Sequence, residues 1–338
     1  RHDIFSRGIT ETIVTTVAFL VALSLGLRTF GPEISVIVGM GASGIVALGL
    51  AASLFRGAPR SAIPFSVSTE SRRLLTYAAP ISTYDLLNSI IVRLDVVMLG
   101  CFVGRAPGVT LTTLGVYGAC VEVAGGLRKL NQAFNPIFAP VVAGLTADGD
   151  QEHAAVAFSR VSQWMLWILL PLVAVLALAG SVILGIYGPI FRQGGLWLGI
   201  VAVACATNAF VSLAETVIMV QKPRLNLLNS IITCVVALTA NLWLISRFGV
   251  TGAAFGILLP YVLQGILRYR ALRTVFRWRN PWGDIGRPLL AAVIAAVPAV
   301  TCRLLIGGMT GQVVAALVFL LLYGGAWLQQ RHSTNTTP

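Results

Sequence analysis

Charge is what this sequence has least of. Only 11% of its 338 residues are Asp, Glu, Lys or Arg, while 57% are hydrophobic. A soluble domain carries about 25% charged residues. Too little polar surface is present to cover a water-soluble globule, so lipid has to be the main solvent. Histidine is scarce as well: His2, His153 and His332 stand near the termini or in a polar loop. That leaves no HExxH pair and no catalytic cluster. The five cysteines (Cys101, Cys120, Cys205, Cys234, Cys302) are widely spaced and form no CxxC pair. Zinc and redox readings are therefore unsupported, and the cysteines read as small buried hydrophobes. The acidic loop ADGDQEHA (147–154) lacks the glutamate at position twelve of a calcium-binding EF-hand and reads as a solvated hairpin.

Long apolar runs fill the rest. A membrane helix needs about 20 such residues, and ten runs qualify: 11–29, 34–55, 74–99, 115–142, 161–184, 195–220, 225–246, 250–270, 288–306 and 311–328. They are longer and more continuous than the alternating strands of a membrane barrel. The expected fold class is an all-α polytopic membrane protein of about ten transmembrane helices. An even count puts both ends in one compartment. The side holding the ends then receives sixteen basic residues, the other receives five, and Arg93, Arg128 and Lys129 remain inside spans. Basic residues collect on the cytoplasmic side, so both ends are expected there. This also accounts for the net charge of +12 without nucleic acid. The densest basic stretch, RYRALRTVFRWRNPWGDIGR (268–287), mixes arginines with Tyr269, Phe276, Trp278 and Trp282 and reads as an interfacial anchor.

A charge at the centre of a bilayer costs about 2.5–3.5 kcal/mol on insertion scales, which makes the stretch VEVAGGLRKL (121–130) conspicuous. At roughly 100° per residue, Glu122 and Lys129 lie within about 20° of a common line while Arg128 points roughly 100° away. Gly125 and Gly126 open space between them. In the preceding span Asp85, Asn88 and Ser89 share a face, with Arg93 about 80° round from Asp85. Arg93 and Asp95 are expected close enough to the outer boundary to snorkel. Asn208 and Glu215 share a face of the sixth span.

Three further stretches carry a family resemblance: YAAPISTYDLLNSIIVRLDVVMLGCFVG (77–104), LGVYGA (114–119) and LNLLNSIITCVVALTANLWLISRFGVTGAAFGILLP (225–260). In this order they resemble the Wzx-type flippases of lipid-linked oligosaccharides, which serve O-antigen and other polysaccharide synthesis. Those flippases belong to the MATE-like multidrug/oligosaccharidyl-lipid/polysaccharide exporter superfamily. The resemblance spans roughly residues 10–270. It implies a two-lobed transporter of which this chain supplies helices 5–14, with the first four lacking. Residues 1–56 would close the amino-terminal lobe and 57–73 would form a cytoplasmic linker. Residues 74–270 would form the six-helix carboxy-terminal lobe, 271–287 a basic interfacial loop, and 288–338 two extra helices and a tail. GVYGA (115–119) and GVTGA (249–253), which begin the spans that enter from the outside, read as close-packing sites.

The resemblance further implies movement of a polyprenyl-pyrophosphate-linked oligosaccharide by alternating access, with membrane lipid around it and polysaccharide polymerase or glycosyltransferase machinery as partners. No covalent step is needed, so the chain is expected not to be an enzyme, to need no cofactor, and to couple to H+ or Na+. Buried cations are needed for the phosphates and polar groups for the sugar. Lys129, Arg128, Arg93, Asn88 and Asn208 are the substrate-binding candidates, and Asp85, Glu122 and Glu215 the ion-coupling candidates. Three alternatives stay open. A multidrug cation antiporter would want an acid-rich cavity, a lipid II flippase is close kin, and a membrane glycan ligase or polymerase would want a large charged external loop.

Overall fold

The computed structural model describes residues 67–147, 149–278 and 285–335, with Val17, Ile45 and Gly49 besides. The chain divides into two units, Arg1–Glu70 and Ser71–Pro338. Every regular element among the described residues is a helix: α1 Val67–Cys101, α2 Leu111–Ala147, α3 Gln151–Leu178, α4 Gly180–Leu184, α5 Gly195–Gln221, α6 Pro223–Thr274, α7 Gly286–Ile306 and α8 Gly308–Asn335. Two 3-10 turns, Gly185–Tyr187 and Pro189–Gly194, lead into α5.

Five of these stretches are long and apolar enough to cross a membrane: Gln151–Leu178, Pro189–Met219, Pro223–Thr274, Gly286–Ile306 and Gly308–Gln330. The expected ten are thus not reached among the described residues. The first two expected spans, 11–29 and 34–55, lie outside them. Helices α1 and α2 occupy the third and fourth expected spans, but their charged and amide side chains dilute the apolar run.

Straight, the 52 residues of α6 would measure about 78 Å, far beyond the roughly 30 Å of a hydrocarbon core. The helix instead turns back on itself at Gly249 (φ 56°, ψ −131°), a conformation that L side chains rarely adopt. A Cβ there would also run into the Pro107 carbonyl. The arms 223–248 and 250–274 come together closely: Asn241 Nδ2 donates to the Gly256 carbonyl at 3.3 Å, and a Cβ on Gly252 would strike the Leu244 carbonyl. GVTGA is a close-packing site, as its small residues imply. For GVYGA no such packing is found among the described residues, where a Cβ on Gly115 or Gly118 meets nothing within 4 Å. There the burial falls on Val116 and Tyr117 instead.

The main core joins α2, α5 and both arms of α6, with α1 and α3 against them; Tyr117, Leu213, Ala253 and Tyr261 are fully buried in it. A smaller cluster sets Ala295 and Ala299 of α7 on Ala315 and Phe319 of α8, a close approach that small side chains permit. The stretch after α6 departs from the interfacial expectation. Phe276 and Trp278 are buried, Trp278 lies 5.5 Å from the Phe158 ring, and its Nε1 donates to Gln151 at 3.1 Å. These rings cap the end of the bundle because a nearby apolar core offers them more burial than a headgroup layer does. Residues 279–284, with Arg279 and Trp282, lie outside the described residues.

Candidate functional site

Helices α1 and α2 run antiparallel. Arg93 Nη1 lies 2.8 Å from Glu122 Oε1, Tyr117 donates to Asp95 at 2.6 Å, and Gly100 sits opposite Leu114. The side chains of Arg93 and Glu122 are 63% and 69% exposed. On this register Asp85 and Lys129, both exposed, fall level with each other, about 10–12 Å along the helices from that ion pair. Ser89 lies between Asp85 and Arg93 and donates to the Asp85 carbonyl at 2.8 Å. Asn88, half-buried at the edge of this face, has a side-chain oxygen without a hydrogen-bond partner among the described residues. Each helix thus presents one acid and one base, in opposite order. The face is polar and close to neutral overall, and it lies on helices flanked by exposed Leu86, Ile90 and Val97.

Arg128 turns the other way, as its position one residue before Lys129 requires. Its guanidinium folds back over Gly125, where a Cβ would stand 3.2 Å from Nη2. It comes within electrostatic reach of Cys205, Tyr261 and Asp95. The Tyr261 hydroxyl interacts with the guanidinium, while Asp95 Oδ1 is buried without a hydrogen-bond partner among the described residues. Asp95, expected to snorkel, is only 1% exposed. The Tyr117 hydroxyl and the nearby guanidinium give it a polar setting inside the bundle, so it has no need to reach the boundary.

A second buried cluster lies further along the seam between α5 and α6. Arg268 Nη2 sits 3.0 Å from Glu215 Oε2 and 3.4 Å from the Tyr84 hydroxyl, which ties α6, α5 and α1 together. Arg268 is 1% exposed; from the sequence it read as a flanking cytoplasmic charge, because it opens the basic run. Around it Gln264, Asn229, Ser230 and Asn226 are buried with unpartnered polar atoms. Asn208 is buried two turns from Glu215 along α5.

The structure therefore brings Arg93 to Glu122 and leaves Asp85 and Lys129 exposed, level with each other only by extrapolation of the helical register. It separates Arg128 from Lys129 and pairs Glu215 with a residue outside the candidate set. Sequence reasoning missed Tyr84, Tyr117, Tyr261, Gln264 and Arg268. The polar stripe Asn226, Asn229, Ser230, Thr233, Asn241, spaced by three, one, three and eight residues, was the legible sign of a buried polar seam.

A family model described as "Polysaccharide biosynthesis protein" matches residues 4–193. No curated protein matches the chain.

Proposed function

The chain belongs to the polysaccharide biosynthesis protein family, and from that premise we propose that it is a Wzx-type, MATE-like flippase. Its cargo on this reading is a polyprenyl-pyrophosphate-linked oligosaccharide, moved across the bacterial inner membrane by alternating access. One observation carries the reading: Asp85, Arg93, Glu122 and Lys129 share an exposed face on two long helices. Hydrocarbon would penalise each charge by about 2.5–3.5 kcal/mol, so this face is better matched to a water-filled passage. The cations Arg93 and Lys129 would meet the diphosphate, while Glu122 and Asp85 hold them when no cargo is present. Ser89 and Asn88 offer hydrogen bonds to sugar hydroxyls. Arg128, behind the face, adds positive potential without touching the cargo. Binding near the midplane between repacking helices is the usual transporter solution, and it needs no bond-making step. Coupling to H+ or Na+ would fall to Glu122 or Asp85, since Glu215 is already committed to Arg268.

The mixed signs disfavour a cation antiporter, which would keep its acids free of basic neighbours. In this proposal both chain ends face the cytoplasm, and the polymerase or glycosyltransferases act as partners. The test is glycan export in cells that depend on the full protein. Lys129→Gln with Arg93→Gln abolishes export and leaves membrane insertion intact. Wild-type export from that double variant would remove the assignment.

A further inference from the structure

Away from the charged face, α3 and α8 enclose a groove of about 380 Å³, within the size range of small-ligand clefts, roughly 300–1,000 Å³. Its walls are aromatic: Trp164, Trp167, Tyr323 and Trp327 line it, with Pro171 and Gly324. The rings brace one another. Trp167 and Tyr323 are 4.9 Å apart and tilted, Trp164 and Trp327 meet edge-on at 6.5 Å, and the Tyr323 hydroxyl is turned away to the Leu166 carbonyl at 3.4 Å. A preformed apolar slot results, held open beside Gly324, where an added Cβ would meet nothing within 4 Å.

The groove has a charged end. Arg160, Trp164, Trp167 and Pro171 fall within about 60° on one face of α3. Arg160 is exposed and makes no ion pair among the described residues. It stands about 14 Å along α3, directly before the apolar run 161–184, and so at the boundary of that run. An apolar slot inside the membrane that ends on a cation at headgroup level is complementary to one kind of molecule, a lipid with an anionic head. The larger groove between the arms of α6, about 470 Å³ beside Trp243, differs at this point. Its neighbouring cation, Arg247, lies over the Trp243 ring at 5.5 Å.

We infer that the α3/α8 groove is a binding site for an anionic phospholipid of the surrounding bilayer, its acyl chain against the four rings and its phosphate at Arg160. The site is separate from the cargo face and does not depend on the flippase reading.

The tryptophans supply the readout. The purified full chain in neutral detergent is titrated with brominated phosphatidylglycerol or brominated phosphatidylcholine, and quenching of indole fluorescence is followed. The anionic lipid half-saturates at about fivefold lower concentration, the effect of one basic side chain near the surface. Arg160→Gln removes that preference, and Arg160→Lys keeps it. Gly324→Phe, which fills the slot, lowers the quenching amplitude for both lipids. Equal half-saturation by the two lipids in the wild type, or a preference that survives Arg160→Gln or Gly324→Phe, overturns the inference.

Discussion

Two arginine–carboxylate pairs of nearly equal length stand in opposite surroundings. Arg93–Glu122 (2.8 Å) is mostly exposed; Arg268–Glu215 (3.0 Å) has one partner at 1% and the other at 19% exposure. Distance alone would rank them together. Burial separates them, because water competes for an exposed pair and leaves it worth about 0–1 kcal/mol. A buried pair that loses one member leaves an uncompensated charge inside the bundle. The first pair is therefore free to open around a ligand, while the second holds α1, α5 and α6 in register.

The sharpest way to break the comparison is Glu215→Leu, which strands Arg268. Thermal unfolding in detergent should show a loss of about 3–5 kcal/mol, with most of it recovered by adding Arg268→Met. A loss under about 1 kcal/mol would erase the distinction. Next is Tyr84→Phe, which removes the other hydrogen-bond partner of Arg268 and should cost about 1 kcal/mol in the same assay. Arg93→Gln should cost less than about 1 kcal/mol yet impair glycan export, and a large stability loss there would make the exposed pair structural.

Smallest is the cap of α3. Asp150 accepts from the His153 backbone at 3.1 Å and meets its ring nitrogen at 2.7 Å. Those bonds to His153 hold the carboxyl below its ordinary value. Its stabilisation is present above the unfolded value, about 3.9, and disappears as pH falls through the lower folded value. Protection of the first-turn amides of α3, taken relative to their intrinsic exchange rates, should fall in the wild type as pH drops through that range. Asp150→Ala should be less protected than the wild type above that range and equal to it below.

The helices were legible in the sequence because lipid demands long apolar runs, and the turn at Gly249 was legible as the break between the runs 225–246 and 250–270. The divergence of Arg128 from Lys129, about 100° round the helix, followed from helical periodicity alone. What stayed hidden was partnership across helices. Arg268 carries no local mark that distinguishes it from Arg270 or Arg273, and only the fold sets it against Glu215 and Tyr84. Asp95 looked like a boundary residue because depth along a helix is readable and rotation toward Tyr117 is not. The two glycines of GVYGA show the converse, a motif whose small residues leave space that none of the described residues fills.

The central claim is that water, and not lipid, lies against the face carrying Asp85, Arg93, Glu122 and Lys129. Its most direct test is labelling of single cysteines by a membrane-impermeant maleimide in vesicles, with the five native cysteines replaced. Ser89→Cys and Lys129→Cys should react quickly and be slowed by a lipid-linked sugar diphosphate, while Val293→Cys on the apolar face of α7 stays unreactive. Labelling at Ser89→Cys and Lys129→Cys no faster than at Val293→Cys would contradict it.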